Sequence, residues 1–247
     1  MCLIGLRYDP PDRTLLVAAN RDEFHHRPTR AAHWWPDHDG VLAGRDLESG
    51  GTWLGVTRAG RFAVVTNVRE MIGTSGQRSR GELPLGFLDS QTSAEDYATE
   101  VIGRGGSYGG FNLLVYDGSA LWWSSNRHRQ PERVPAGVHA VSNDRLNTPW
   151  PKVQRMIGVL SGEGNDSQLL AALRDPSRPP GDLPDTGVGA DTEAFLAPMF
   201  IEGDQYGTRC STILSISRDE IHFTEASFGA EGRPTGQVSQ RWQPVGR

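Results

Sequence analysis

The sequence of 247 residues predicts one α+β domain, with helices packed on the outside of two antiparallel sheets. Three observations support this fold class. Short apolar runs flank turn signals at intervals along the chain, which is typical of hairpins. Segments with helix caps lie between these hairpins. The strands are so widely spread that each sheet must gather residues distant in sequence. We therefore expect residues 1–247 to share a single core.

Four hairpins provide most of the predicted strands. In the first, residues 2–8 and 13–19 flank Asp9-Pro10-Pro11-Asp12, a strong turn signal. The other three hairpins surround Ala59-Gly60, Asp117-Gly118 and Arg218-Asp219. Their strands are residues 53–58 and 61–66, 111–116 and 121–124, and 211–217 and 220–224. A further apolar strand is predicted at 138–142.

Three helices are predicted between the hairpins. Ser93-Ala94-Glu95-Asp96 has a capping-box pattern, and its helix is expected to end near Gly103. Asn147-Thr148-Pro149 suits a cap with proline in the first turn, followed by a helix to about Leu160. A shorter helix is predicted at 168–174. Residues 175–191 are rich in proline and glycine, and we expect them to form a mobile loop.

Charge and hydropathy exclude several classes of function. A net charge of −5 disfavours nucleic acid as a partner, because phosphate binding requires a basic surface. No run approaches the about 18 apolar residues of a membrane span. The N-terminal segment also lacks the basic region and cleavage site of a secretory signal. We therefore expect a cytoplasmic protein in which Cys2 and Cys210 are reduced thiols.

Cys2 is the first candidate for chemistry. Removal of Met1 would leave Cys2 with both a thiol and a free α-amine. The amine has a reference pKa of about 7.7–8.0, so a good fraction is neutral near pH 7 and can act as a base. The thiolate is the nucleophile. The alternative is a thiol that only packs at the start of a strand.

Polar residues follow directly after the second apolar strand. In Asn20-Arg21-Asp22-Glu23, an extended backbone places Asn20 and Asp22 on one face and Arg21 on the other. The first hairpin would bring Asp22 or Arg21 close to Cys2. The alternative is a solvated strand end with a surface ion pair.

Three further polar residues stand at the ends of other predicted strands. Asn67 and Asn143 each follow an apolar strand, and Arg209 comes just before one. An asparagine amide can stabilise an oxyanion, and an arginine can bind a carboxylate or orient a neighbour. Each residue alone is more often found in a turn or cap, but the recurrence on separate strands favours a shared site.

Histidines and tryptophans are further candidates for ligand binding. His25, His26, His33 and His38 lie close together in sequence, but their spacing resembles no defined zinc site, so we expect no metal. Trp34-Trp35 and Trp122-Trp123 are expected to pack in the core.

An ordered set of motifs from residue 1 to about 225 resembles the NRDE family, also called the transport and Golgi organisation family. The motifs are Met1-Cys2, Asn20-Arg21-Asp22-Glu23, Gly50-Gly51-Thr52-Trp53-Leu54-Gly55, Thr66-Asn67, Ser142-Asn143, Leu146-Asn147-Thr148-Pro149-Trp150-Pro151-Lys152-Val153, and Tyr206-Gly207-Thr208-Arg209 with Ser211-Thr212.

This family in turn resembles the N-terminal-nucleophile hydrolases, and especially their bile-salt and penicillin V acylase branch. The resemblance implies a four-layer αββα sandwich that cleaves a small amide without a cofactor. It also implies roles for individual residues. Cys2 would be the nucleophile and Asp22 would orient its amine. Asn67 and Asn143 would serve the oxyanion and the amine, and Arg209 would tune the thiolate. Asn20 keeps the register of the acylase motif, whereas Arg21 lies between Asn20 and Asp22.

The resemblance also implies a function of a different class. Members of the NRDE family have been linked to haem handling and to lipid or acyl-CoA homeostasis. The alternative to an amidohydrolase is therefore a non-catalytic carrier of haem, lipid or acyl-CoA on the same fold, with a histidine or Cys2 as the haem ligand.

Overall fold

Two antiparallel sheets form the centre of the structure. The computed structural model describes residues 2–70 and 76–245. The strands in these residues are β1 (Cys2–Asp9), β2 (Thr14–Phe24), β3 (Thr29–Trp34), β4 (Val41–Asp46), β5 (Leu54–Thr57), β6 (Phe62–Asn67), β7 (Phe111–Tyr116), β8 (Leu121–Ser125), β9 (Glu132–Arg133), β10 (Gly137–Val141), β11 (Tyr206–Ile216), β12 (Ile221–Phe228) and β13 (Pro234–Trp242). The first sheet has the order β10-β1-β2-β11-β12-β13, and the second runs from β3 to β9 in sequence order.

The helices cover the outer faces of both sheets. They are α1 (Glu82–Leu88), α2 (Ala94–Gly103), α3 (Pro151–Ser161), α4 (Asp166–Leu173) and α5 (Ala190–Phe195) within the described part of the chain. α1 and α2 contact strands β5 to β8 of the second sheet, whereas α3 and α4 contact β1, β2, β10 and β11 of the first. The layers therefore follow the order helix, sheet, sheet, helix, which confirms the predicted α+β class.

Three apolar clusters hold these layers together. The largest lies between the sheets, where Leu6 and Val17 of the first sheet join Phe62 and Trp123 of the second. The other two fill the spaces between each sheet and its own helices. Alternation along the strands produces this arrangement, because successive side chains point to opposite faces of a sheet.

The predicted hairpins and two of the three helices are confirmed. α2 spans the predicted residues, and the Ser93 hydroxyl accepts the amide hydrogen of Asp96 as the cap requires. The prediction for α3 was wrong at its start, since the helix begins at Pro151 with Trp150 as its N-cap. Asn147 instead has a φ of 63° and bonds to Ala140 of β10 through its backbone and its side chain.

Several elements were not predicted. The exposed residues of β3 and β13 carry no clear apolar alternation, so neither has the usual signal of a strand. The short helices α1 and α5 were missed as well. No helix in residues 2–70 and 76–245 combines the length and apolar character needed to cross a membrane.

The proline-rich segment 175–191 has no helix or strand before α5 begins at Ala190. Its first residues are held by Arg155, which forms an ion pair of 2.6 Å with Asp175. Near its end, the amide and the hydroxyl of Thr186 both donate to Glu193 Oε1, at 3.0 and 2.5 Å. Residues 175–189 thus form a loop, whereas residues 190–191 begin α5, and the mobility of the segment remains a prediction.

Candidate active site

A cleft of about 1210 Å³ opens where several strands end, and residues of both sheets line it. β1 begins there with Cys2. β2 and β10 run antiparallel to β1, so their last residues lie beside its first ones. β6 ends at the same place with Asn67, which lines the cleft together with Cys2 and Asp22. The convergence of polar strand ends places residues from distant parts of the sequence around one space.

Cys2 is 7% exposed and shares with Ile4 and Leu6 the face of β1 that points to the space between the sheets. Arg21 of β2 lies directly opposite it in the register. Burial raises the pKa of the Cys2 thiol and the charge of Asp22 raises it further, whereas Arg21 and the backbone amide of Asp22 lower it. The Cys2 carbonyl accepts a hydrogen bond of 3.0 Å from Ser142 Oγ. The thiol is therefore mainly protonated at neutral pH and needs a base to become a nucleophile.

Asp22 lies on the other face of β2, towards the helices. Its Oδ1 accepts a hydrogen bond of 2.7 Å from Thr208 Oγ1, and its carbonyl accepts one of 3.1 Å from Tyr206. Burial raises the pKa of the carboxyl group, while the cation of Lys152 and the Thr208 hydroxyl oppose this shift. Asp22 is thus a fixed, buried carboxyl group beside the start of β1.

Lys152, in the motif at 146–153, is a buried cation for which the motif implies no role. It is 3% exposed, and within the described residues its Nζ has no hydrogen-bond partner. Burial lowers its pKa to about 8, and the charge of Asp22 opposes this shift. Lys152 reaches this position because α3 packs very closely on β1. A Cβ atom at Gly5 would lie 2.4 Å from Met156 Cγ of α3.

Asn67 and Asn143 form a pair in which one amide orients the other. Nδ2 of Asn143 donates to both O and Oδ1 of Asn67, at 3.0 Å each. Asn143 is fully buried, and its Oδ1 accepts hydrogen bonds from Ser142 Oγ at 3.1 Å and from Arg69 at 3.5 Å. Asn67 lines the cleft, and the hydrogen bond from its own Nδ2 to the Val68 carbonyl is long, at 3.4 Å. The structure therefore directs the amide of Asn67, rather than that of Asn143, to the cleft.

A buried ion pair contacts Asn143 on the side away from the cleft and supports the two asparagines. Arg69 binds Glu193 of α5, and both side chains are almost completely buried. The Arg69 backbone amide also donates to the carbonyl of Asn143 at 2.6 Å. Because Glu193 holds Thr186 as well, one carboxylate joins the asparagine pair to the loop 175–191.

Asn20 lies on the helix side of β2 and does not line the cleft. Its Nδ2 donates to the carbonyls of Leu173 and Met199, at 2.8 and 2.7 Å, and its Oδ1 accepts from Ser211 Oγ at 2.6 Å. These contacts use the side-chain amide fully to hold the end of α4 and the segment after α5 on the sheet. The predicted alternation of Asn20 and Asp22 with Arg21 is present, since Arg21 faces the cleft.

The two predicted arginines differ in their surroundings. Arg21 forms ion pairs with Asp46 at 3.5 Å and with Glu23 at 3.9 Å. Arg209 stands at a bulge in β11, between Thr208 and Cys210. Its Nη1 donates to three backbone carbonyls in the connection between β2 and β3, those of Phe24, His25 and Arg27. Arg209 thus fixes this connection, while Arg21 is the arginine opposite Cys2.

Cys210 is the second thiol in the wall of the cleft. It lies opposite Arg21 on the far side of β2 from Cys2. Burial raises its pKa well above the usual value, and the neighbouring carboxyl group of Glu225 raises it further. None of the described residues that line the cleft is a histidine, and among the described residues no group of three or more His, Cys, Asp or Glu side chains is arranged to bind a metal.

Comparison with known proteins agrees with the sequence motifs. Residues 1–230 match the model of the family described as Transport and Golgi organisation 2. The chain is 33% identical to the Transport and Golgi organization protein 2 homolog of Bos taurus, over 98% of the chain and 96% of the relative. It is 31% identical to the homolog of Homo sapiens, over 92% and 93%.

Among solved structures, the chain is similar to the C2A mutant of conjugated bile acid hydrolase from Clostridium perfringens. That similarity covers 98% of this chain and 97% of the other, with 11% identity and a TM-score of 0.47. The family is established by the sequence relatives and by the match over residues 1–230. The chain belongs to the Transport and Golgi organisation 2 family.

Proposed function

We propose that the protein is an N-terminal-nucleophile amidohydrolase that uses Cys2 to cleave a small amide. One observation supports this proposal most strongly. The Cys2 thiol lies in the wall of a large cleft, at the very start of β1, with Asn67 on the same cleft and the buried pair of Asp22 and Lys152 beside it. An ordinary packing cysteine needs none of these neighbours.

The nucleophile is formed by proton transfer within one residue. Removal of Met1, which lies outside the described residues, frees the α-amine of Cys2. The neutral amine accepts the proton of Sγ, and the thiolate attacks the carbonyl carbon of the amide. The amine then returns the proton to the leaving nitrogen, which leaves an acyl thioester on Sγ. Attack by water, with the amine again as base, releases the acid and restores the thiol.

Asn67 is the proposed donor to the oxyanion. Its Nδ2 lies in the cleft wall and, among the described residues, makes only one long hydrogen bond, so it can donate to an oxygen that develops negative charge. Asn143 acts as a positioning residue, since both of its hydrogen bonds to Asn67 fix the plane of that amide. A donor that is already oriented does not need to reorganise during the reaction.

Lys152 and Asp22 are proposed to set the charge state of the amine. The carboxylate of Asp22 would hold the amine in place but would also favour its protonated form. The ammonium group of Lys152, whose pKa of about 8 keeps it mainly charged at pH 7, opposes this effect. The two charges together allow Asp22 to orient a base that stays largely neutral.

The proposal is tested by intact mass before and after brief exposure to iodoacetamide near neutral pH. We expect loss of Met1 and a single fast alkylation that disappears in Cys2→Ala. The matched control is Cys210→Ala, because Cys210 is an equally buried thiol of the same cleft and its loss leaves the fast reaction intact. Retention of Met1, or a Cys2 no more reactive than an ordinary free thiol, contradicts the mechanism. Screening of amide substrates follows from a positive result.

The volume of the cleft supports a second candidate, a non-catalytic carrier of a lipid or an acyl-CoA. The cleft is larger than the about 300–1,000 Å³ of common small-molecule sites. Haem fits its described lining poorly, because the lining offers two thiols whose pKa values are raised by burial and no histidine. Binding of an acyl-CoA to protein that retains Met1, without turnover, would favour the carrier.

A further inference from the structure

The lining of the cleft has the opposite charge balance to the whole chain. Seven arginines and five carboxylates are found among its described residues, whereas the chain has 25 Lys and Arg against 30 Asp and Glu. A cleft with an excess of one charge attracts ligands of the other, because its low-dielectric walls concentrate the field. The cleft therefore suits an anionic ligand, although the protein as a whole is acidic.

Most of these arginines already have a carboxylate partner. Arg21 and Arg27 bind Asp46, Arg45 binds Asp37, and Arg78 binds Glu82. The three remaining ones, Arg30, Arg80 and Arg209, have no carboxylate within 4.0 Å in residues 2–70 and 76–245. Nη1 of Arg209 donates to backbone carbonyls, and Arg209 is less exposed than Arg80.

Arg80 lines the same cleft as Cys2 and has no carboxylate partner among the described residues. Its Nη1 donates to the Gly110 carbonyl at 3.2 Å, and its other guanidinium hydrogens have no acceptor among the described residues. Desolvation lowers the pKa of Arg80, and the charge of the Cys2 thiolate is the largest of the influences that raise it. The side chain is also exposed to the cleft, so a ligand can reach it.

We propose that Arg80 binds a carboxylate of the ligand whose reactive carbon is presented to Cys2. Guanidinium groups match carboxylates in geometry and bind them through two parallel hydrogen bonds. For the substrate, this inference rests on the proposed function. It specifies that the amide that is cleaved carries a carboxylate close to the scissile bond. The anion site itself can be tested without any substrate.

The test compares two alkylating agents that differ in charge. Iodoacetate and iodoacetamide both form an S–C bond to Cys2 with loss of iodide, but only iodoacetate carries a carboxylate. The second-order rate for each is measured on the peptide that contains Cys2. In Arg80→Gln we expect the ratio of the iodoacetate to the iodoacetamide rate to fall by about tenfold, the effect of losing one charge-assisted hydrogen bond. Any change in the pKa of the thiol affects both rates and cancels in the ratio.

Three further measurements keep the test specific. Arg78→Gln is the matched control, because Arg78 lines the same cleft but is paired with Glu82, and it should leave the ratio unchanged. Arg80→Lys should retain most of the ratio. On the unmodified protein, short-chain carboxylates should slow the alkylation of Cys2 by iodoacetamide. Protection by inorganic phosphate alone would overturn the assignment of a carboxylate.

The possible failures are distinguishable. An equal ratio in the wild type and in Arg80→Gln, with Cys2 still fast, overturns the anion site and leaves the hydrolase proposal intact. A Cys2 that reacts slowly with both agents contradicts the proposed function. If Cys2 reacts slowly with both agents but the ratio of the iodoacetate to the iodoacetamide rate still falls in Arg80→Gln, the anion site at Arg80 is the binding site of a carrier.

Discussion

Asn143 donates two hydrogen bonds of 3.0 Å to Asn67, one to its backbone carbonyl and one to its side-chain oxygen. This relationship separates two amides that look equivalent in the sequence. Asn67 faces the cleft, while Asn143 is buried behind it and receives further hydrogen bonds from Ser142 and Arg69. The first can touch a ligand, and the second acts only through the first.

The first prediction concerns this pair of amides. If Asn67 is the oxyanion donor, Asn67→Ala should lower kcat on an amide substrate by about 10²–10³-fold with little change in KM, because the lost hydrogen bond would act mainly in the transition state. Asn143→Ala should lower kcat too, but should also reduce the free energy of unfolding by about 1–3 kcal/mol, since buried partners lose their hydrogen bonds. Steady-state kinetics and urea unfolding measure the two effects. A kcat that is unaffected in Asn67→Ala would exclude the oxyanion role.

The second prediction concerns the charge of Lys152. If its ammonium group keeps the amine of Cys2 neutral, Lys152→Met should move the acidic limb of the pH–alkylation profile of Cys2 to higher pH. The reason is that the amine then feels Asp22 without an opposing cation. Profiles recorded between pH 5 and 9 test this shift. A lysine that only fills space would leave the limb in place.

The third prediction uses the same variant to measure stability. The folded pKa of Lys152 is about 8, below the ordinary value of 10.5, so below about pH 8 the folded state carries the full cost of burying the charge. As the pH rises from 8 towards 10.5, the unfolded chain holds more protons than the folded one and the cost disappears. Between pH 7 and pH 9.5 the wild type should therefore gain about 2 kcal/mol in free energy of unfolding relative to Lys152→Met. Urea unfolding at both pH values measures this difference, and a constant difference would show that Lys152 is not buried as a cation.

The fourth prediction concerns Asn20, whose side chain binds the carbonyls of Leu173 and Met199. Asn20→Ala should lower the free energy of unfolding by about 2–4 kcal/mol, because both buried carbonyls lose their partner. The rate of Cys2 alkylation should stay close to that of the wild type under conditions where the variant is folded. A loss of Cys2 reactivity larger than the loss of folded protein would instead give Asn20 a role in the site.

The fifth prediction concerns the two thiols. Cys2 and Cys210 are both in register with Arg21, on the strands that flank β2. Two strand spacings separate their Cα atoms by about 9.6 Å, well beyond the about 7 Å that a disulfide permits. Diamide should therefore leave the folded monomer without an internal disulfide, while the bond should form in urea. Its formation in the native protein, detected by mass and by alkylation of the remaining thiols, would contradict the register.

Much of this arrangement follows from local sequence. The turn signal at 9–12 predicts the first hairpin, and the hairpin brings Arg21 opposite Cys2. The polar residues at strand ends predicted a shared site, since ends of neighbouring strands meet at one edge of a sheet. What the sequence does not reveal is the layer that packs on each face, which decides that Asn20 supports the fold while Asn67 faces the cleft.

The burial of Lys152 is also not predictable from local sequence, because it depends on contacts between distant parts of the chain. Its burial depends on how α3 lies across β1, and that packing is decided at Gly5, almost 150 positions earlier in the chain. A lysine in the first turn of a helix is ordinarily solvated, and no local pattern marks this one as an exception. Similarly, the sequence does not reveal that the bulge in β11 directs Nη1 of Arg209, a residue of the cleft lining, to the carbonyls of the β2–β3 connection.

That bulge has a consequence for how the protein can vary. The extra residue at position 209 shifts the pairing by one, so that Thr208 reaches Asp22 on the helix side while Cys210 faces the opposite side with Arg21. Deletion of this single residue would close the bulge and leave Thr208 opposite Asp22 and Cys210 opposite Arg21 in a regular ladder, so the residues that precede it on β11 would keep their faces. Such a deletion should therefore act mainly on the connection between β2 and β3, which would lose the hydrogen bonds from Arg209.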